Sequence, residues 1–215
     1  MSRGIVAVSM RLAPATGYHE DRDAISHDWC VFISRLGLSP VLIPNVSEDV
    51  VPIMKATGVE RILLTNGDSL GPLDNEKDGP RPSRRDMAEF AILDHAVAHE
   101  IPVLGVCRGL QAINVYFGGR LTRNLEQVTG EAHVAQTHEV ELSGGNRYEV
   151  NSYHDEGVLE GQLAEPLRGI AFSAGGVVEA LEHHSLPIWA VQWHPERTGA
   201  PQRLDRQILE RWLRI

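Results

Sequence analysis

Two rhythms of apolar residues alternate along the first half of the chain. In "GIVAVS" (4–9), "PVLIPN" (40–45) and "RILLT" (61–65) the apolar residues cluster in short runs, the texture of buried strands. Between them, "EDRDAISHDWCVFISRLGL" (20–38) places Ile25, Trp29, Phe32, Ile33 and Leu36 at i, i+4, i+7, i+8 and i+11, which is one face of a helix. "EDVVPIMKAT" (48–57) also predicts a helix, with Pro52 read as a first-turn residue. Ser83 with Asp86 three residues on forms a capping-box pattern that opens a helix over 84–100. "IPVLGV" (101–106) is a further strand, and the residues after Cys107 form a helix ended by Gly118 and Gly119.

Strands alternating with helices at this spacing predict a parallel sheet with helices on both faces. Beyond residue 120 the rhythm shortens. "THEVEL", "RYEVNS" and "RGIAFS" alternate apolar and polar residues between Gly-containing turns, as antiparallel strands do. "IWAVQW" (188–193) returns to a buried strand, and "QRLDRQILERWLRI" (202–215) closes with an amphipathic helix through Leu204, Ile208, Leu209 and Trp212. The expected fold is α/β, a mostly parallel central sheet flanked by helices with a small antiparallel β excursion, in one domain over 1–215. The aperiodic stretch 66–82, rich in Gly, Pro and Asp, is a long loop of the kind that usually carries function.

Composition narrows the partners. With 42% hydrophobic and 23% charged residues in 215, the chain can bury a full core. A net charge of −9 opposes a nucleic-acid partner. No apolar stretch approaches membrane-spanning length, and "MSRGIVAVSM" enters a strand without a leader pattern, so the expected location is the cytoplasm. Cys30 and Cys107 are then both read as thiols. "HEDRD" (19–23) brings together residue types that bind metals, yet acids in the first turn of a helix complement its dipole, so no metal is assigned. "HH" (183–184) falls in a turn and reads as solvated.

A lone cysteine ending an apolar run is ordinarily a core thiol. Three features of Cys107 argue for chemistry instead. A strand-to-helix turn places it at the carboxyl end of the sheet, where open α/β proteins put their sites. The following helix points its N-terminal dipole at the sulfur, which lowers a thiol pKa. Gly105 and Gly109 flank it as small residues flank the nucleophile of a strand–turn–helix elbow. Among ten histidines, His194 of "WAVQWHPE" also ends an apolar strand, and Glu196 two residues on can orient its ring. Cys107, His194 and Glu196 thus form a candidate nucleophile, base and orienting acid.

"GVCRGLQAINVYFGG", "EVNSYH" and "VQWHPE", in that order, resemble the class I glutamine amidotransferase fold and, within it, the γ-glutamyl hydrolase branch, peptidase family C26. "HEDRDAISHDW" and "HPER" look most like the γ-glutamyl-CDP-amidate hydrolases that serve phosphoramidate capsule biosynthesis. The resemblance implies a flavodoxin-like sheet and hydrolysis of a γ-glutamyl amide through a thioester on Cys107, without a cofactor or metal. It implies an oxyanion hole from the backbone N–H groups of Gly67 and Arg108, and a γ-glutamyl contact from Gln111. Ser152, Tyr153 and His154 would hold the α-amino and α-carboxylate ends. Glu20 and Arg22 would edge the pocket. Arg85 and Glu89, spaced i, i+4 as a surface ion pair, join Arg22 in the candidate substrate-binding set. One departure stands out: "NGD" puts Asn66 where the family has a glycine, and Asn is the side chain that best tolerates a left-handed backbone there.

The expected partner is a small γ-glutamyl compound, with a homodimer left open. Lys77, Arg81, Arg84 and Arg85 interrupt an acidic chain and suit either solvation or a phosphate on the leaving group. The rivals are a γ-glutamyl-amine hydrolase, a glutaminase subunit feeding ammonia to a synthetase, and a binding module with a disabled site.

Overall fold

The computed structural model describes residues 4–71, 83–197 and 203–213. The chain forms β1 (Ile5–Ser9), β2 (Arg11–Pro14), β3 (Asp21–Ala24), α1 (His27–Arg35), β4 (Ser39–Ile43), α2 (Ser47–Thr57) and β5 (Arg61–Leu64). It continues with α3 (Arg84–His99), β6 (Val103–Val106), α4 (Arg108–Tyr116), β7 (Thr122–Arg123), α5 (Leu125–Thr129), β8 (Val134–Leu142) and β9 (Arg147–Tyr153). Last come β10 (Glu156–Gly157), β11 (Leu167–Phe172), β12 (Val178–His183), β13 (Ile188–Val191) and α6 (Arg203–Leu213).

Nine strands make one sheet in the order β4-β1-β5-β6-β13-β12-β11-β8-β9. The pairings from β4 to β13 are parallel, and those from β13 to β9 are antiparallel. The antiparallel segments therefore extend the central sheet rather than standing apart from it. Alternation along the parallel strands divides the core in two. Val6, Val8, Leu63, Leu104 and Val106 face Trp29, Phe32, Ile33, Ile208 and Trp212 of α1 and α6, whereas Ala7, Ile62, Leu64 and Val103 face Val50, Met54, Ile92, Leu110 and Ile113 of α2, α3 and α4. Among the described residues, no helix is long and apolar enough to cross a membrane.

Three local expectations change. "HEDRD" begins no helix: Asp21–Ala24 pair with Arg11–Pro14 in a hairpin, and Asp23 accepts hydrogen bonds from the Asn45 backbone N–H (3.0 Å) and side-chain amide (2.6 Å). α1 starts only after Ser26, whose hydroxyl accepts from the Asp28 N–H (3.4 Å). α2 starts at Ser47, so Pro52 lies inside the helix, and its missing N–H leaves the Glu48 carbonyl without its helical donor. His183 ends β12, and its Nδ1 accepts from Ser185 N (3.1 Å) and Leu186 N (3.0 Å), while His184 is exposed. The capping box at Ser83 and Asp86 forms as expected. The part of the 66–82 loop from 72 onward, with Lys77 and Arg81, lies outside the described residues, as do the ends of the 202–215 helix.

Backbone packs against backbone under the turn at Cys107. A Cβ on Gly109 would stand 2.5 Å from the Leu64 carbonyl oxygen, and one on Gly105 would stand 2.7 Å from the Gly109 carbonyl. Neither obstacle is a flexible side chain. Gly109→Ala should destabilise the fold by about 1–3 kcal/mol through overpacking. Gly144→Ala, which meets nothing within 4 Å, should stay within about 0.5 kcal/mol of the parent. Denaturant midpoints of the two variants check the contrast.

Candidate active site

β6 and β13 are parallel neighbours, so the residues leaving their carboxyl ends emerge side by side. Cys107 leaves β6 with φ 54° and ψ −104°, a conformation costing on the order of 1–3 kcal/mol for a residue with a side chain. The turn is held by the Cys107 N–H donating to the Val191 carbonyl (2.7 Å) and by the close approach of Gly109 to β5. Burial pushes the thiol pKa up to about 12, outweighing the hydrogen bond from the Arg108 backbone that pulls it down. The dipole of α4 therefore does not make a resting thiolate, contrary to the sequence-based expectation. A sulfur in this site needs a base.

His194 follows β13 and is almost wholly buried. Its Nδ1 lies 2.7 Å from Glu196 Oε1; a carboxylate can only accept, so Nδ1 carries the proton and Nε2 keeps its lone pair. Burial lowers the imidazole pKa, Glu196 opposing and Arg197 adding to the effect, which favours the neutral ring. Asn151 clamps the backbone of the same residue from both sides, accepting from His194 N (2.8 Å) and donating to His194 O (3.0 Å). This clamp joins β9 to the end of β13, and spacing along the chain does not reveal it. Cys107 and His194 line one cavity of about 440 Å³, a size suited to a small molecule.

The loop after β5 forms the facing wall. Gly67 (φ 102°) and Asp68 (φ 27°) take the positive-φ positions, so Asn66 does not carry the left-handed turn. Its side chain does another job, Oδ1 accepting from Trp29 Nε1 at 2.8 Å. Asp68 accepts from Leu12 N (3.0 Å) and from Arg85 Nη1 (3.1 Å), and Arg85 Nη2 donates to the Thr65 carbonyl (2.8 Å). Arg85 and Glu89 are thus not a surface pair. Both are wholly buried, with Arg85 Nε 2.9 Å from Glu89 Oε1, and neither lines the cavity. The far oxygen of Glu89 meets Arg108, whose other arm meets Asp86. Asp86 Oδ2 accepts from Ser83 N (2.7 Å) and Gly71 N (3.2 Å). Burial alone would raise the Glu89 pKa, but the Arg108 and Arg85 guanidiniums hold it below the usual carboxylate value.

The remaining candidates divide. Gly67, Arg108, Gln111, Tyr153 and His154 line the cavity together with Arg11, Asp155, Glu156 and Arg197, which the sequence did not single out. Gln111 Nε2 donates to the Glu156 carbonyl (2.8 Å), and the Arg197 guanidinium lies 4.2 Å over the Tyr153 ring. Ser152 is fully buried and turned away, its hydroxyl donating to the His133 carbonyl at 2.5 Å. Arg22 and Glu20 pair with each other at 2.5 Å on the exposed β2–β3 hairpin, apart from the cavity lining. Arg84 is also exposed, 3.8 Å from Asp21.

A sheet of this order with a cysteine elbow defines a class I glutamine amidotransferase fold. The solved structure of a protein assigned to GMP synthase, from Thermoplasma acidophilum, shares it, with TM-score 0.66 and 20% identity over 98% of this chain and 92% of that one. The sequence model of the family Peptidase C26 matches residues 4–196, and the chain belongs to that family. A glutamine amidotransferase-like protein of Lactococcus lactis is 36% identical over 174 residues, 72% of this chain and 73% of its own. A γ-glutamyl-CDP-amidate hydrolase of Campylobacter jejuni is 26% identical over 211 residues, 98% of each chain. Family and relatives place the chain among glutamine amidotransferase-like enzymes of hydrolase or amidase type.

The buried ion network generates a stability prediction. Glu89→Gln leaves two buried guanidiniums sharing one carboxylate fewer and should cost about 3–5 kcal/mol. Arg84→Ala, at an exposed pair, should change stability by less than about 0.5 kcal/mol. Because the folded pKa of Glu89 lies below its ordinary 4.5, its contribution is complete above that pH and is lost as pH falls through the lower folded value. The gap between parent and Glu89→Gln in thermal denaturation should therefore narrow only below about pH 4.5.

Proposed function

We propose that the protein hydrolyses a γ-glutamyl amide through a thioester on Cys107, acting in the cytoplasm. The observation that carries this reading is the strained elbow, which presents Cys107 to the cavity that also receives His194. His194 Nε2 takes the thiol proton as Sγ attacks the γ-carbonyl carbon. The resulting oxyanion is held by the backbone N–H groups of Arg108 and Gly67, a pair of donors worth several kcal/mol at the transition state. His194 passes its proton to the leaving nitrogen, the C–N bond breaks and the thioester remains. Water, deprotonated by the same ring, then cleaves the thioester and frees glutamate and the Cys107 thiol. Glu196 keeps the ring in the tautomer that this cycle needs and steadies the imidazolium. Gln111, Tyr153 and His154 would border the glutamyl group.

The leaving group in this reading is anionic, of the phosphoramidate or nucleotide-amidate class. Arg11 and Arg197 supply cations at the cavity in a chain of net charge −9. Support also comes from the Campylobacter relative, similar over its full length. Arg84, paired with Asp21, is a weaker candidate for this role than the sequence suggested.

Cys107→Ala and His194→Ala should each lower kcat by about 10⁴-fold or more, and the double variant should be little worse than either, since the two act as a unit. A Cys107→Ala protein releasing glutamate at the parental rate would end the proposal. Because burial lowers the His194 pKa and raises that of Cys107 to about 12, the acid limb of kcat/KM should fall below pH 6.5 and no thiol limb should appear near pH 8–9.

A screen of γ-glutamyl amides with the isolated chain tests the leaving group. The expected outcome is preference for phosphorylated substrates over glutamine by a margin that shrinks with salt, and Arg197→Ala should raise KM mainly for the phosphorylated ones. Preference for γ-glutamyl amines would replace the leaving-group assignment. Activity that appears only on adding a synthetase would make the chain a glutaminase subunit.

A further inference from the structure

Glu179 on β12 is fully buried, and three imidazoles converge on one of its oxygens. His138 Nε2 lies 3.4 Å from Oε1, His133 Nδ1 3.6 Å and His154 Nε2 3.6 Å. The four residues come from the approach to β8, from β8 itself, from the end of β9 and from β12. These three ring nitrogens and both Glu179 oxygens are buried, and none has a hydrogen-bond partner among the described residues. Such atoms are normally satisfied, so three ring nitrogens converging on Glu179 Oε1 call for a shared partner.

Protonation alone accounts poorly for the geometry. A charge-assisted hydrogen bond between imidazolium and carboxylate closes to about 2.7–2.9 Å, shorter than any of these contacts. Ligand atoms at about 2.0–2.1 Å from a tetrahedral ion are instead about 3.3 Å apart, close to the 3.4–3.6 Å found here. The His133, His138 and Glu179 ligand atoms all lie within 4.8 Å of one another, and His154 Nε2, outside that group, lies 3.6 Å from Glu179 Oε1. The tautomers also agree. His154 Nδ1 is 3.1 Å from the Glu156 carbonyl, which only accepts, so Nε2 carries the lone pair that faces Glu179. His133 Nε2 lies 3.7 Å from Glu131 Oε2, beyond hydrogen-bond distance.

We propose that His133, His138, His154 and Glu179 bind one divalent transition-metal ion of the zinc class. Three imidazoles and a carboxylate suit that ion rather than calcium or magnesium, which prefer oxygen ligands. The site lies outside the Cys107 and His194 machinery and takes no part in the bond-breaking steps. It shares His154 with the cavity wall, so the ion would fix the segment Tyr153–Glu156 against β12. No metal was assigned from the sequence, and "HEDRD", set aside there as a ligand set, includes Asp21–Asp23 of the exposed β2–β3 hairpin.

The test uses the full chain expressed without a polyhistidine tag. Plasma mass spectrometry should find about one zinc per chain, and chelation followed by Zn²⁺ should lower and then restore the melting temperature. Co²⁺ should give the intense visible bands of tetrahedral coordination. His138→Gln and Glu179→Gln should each weaken Zn²⁺ binding by at least the roughly 10–100-fold that loss of a supporting group costs. Cys107→Ser should keep the metal, which separates this site from the proposed thioester chemistry. Trace metal only, with no saturable Zn²⁺ binding by the parent chain, would overturn the proposal whether or not the variants fold. Unchanged binding by a folded His138→Gln would do the same.

Discussion

The buried arrangement Arg85–Glu89–Arg108–Asp86 is the interaction on which the site depends. Two guanidiniums and two carboxylates lie out of water with their charges balanced, and their free arms end on the segments around the cavity. Arg85 reaches Thr65 and Asp68 in the loop after β5, and Asp86 reaches the backbone of Ser83 and Gly71. Arg108 is the first residue of the helix that follows Cys107. One buried network between α3 and α4 therefore ties the elbow to the loop after β5. Apolar substitutes could fill the same volume at no loss of stability, but they could not direct hydrogen bonds to both segments.

Around that frame the cysteine and the histidine themselves carry no charge at rest. Desolvation keeps the Cys107 thiol protonated and the His194 ring neutral, which leaves Glu196 to orient Nδ1. Charge on the pair would then develop only during the proposed reaction. The strain at Cys107 is maintained by contacts on both sides of the turn, the Val191 carbonyl on one and Leu64 on the other. Larger residues at positions 105 and 109 would release it by pushing the elbow off the sheet.

The antiparallel half of the sheet contributes more than area. β9 ends in the segment that carries Asn151, Tyr153 and His154, so a single strand positions the His194 backbone, borders the cavity and reaches the histidine cluster around Glu179. Cys107 and His194 after parallel strands and the cavity wall after antiparallel β9 meet beside β13, the strand where the direction of pairing changes. That meeting agrees with the tendency of open α/β sheets to place sites beyond strand carboxyl ends.

Features set by neighbours in the chain were legible in the sequence. Apolar period, the capping box at Ser83, the glycines flanking Cys107 and the His194–Glu196 spacing each act within a few residues, and each has its expected local form in the structure. Environment was not legible, because it depends on what distant segments cover. The i, i+4 spacing of Arg85 and Glu89 showed that they could pair, but only the packing of α3 against the sheet and α4 decided that they pair in the dark beside Arg108. "HEDRD" carries helix-compatible charges, and the pairing with Arg11–Pro14 made it a strand. His133 and His138 stand five apart, a spacing that would send them to opposite faces of a regular strand. A bulge between Val134 and Gln136, with Ala135 at φ 54°, changes that parity and turns both toward Glu179.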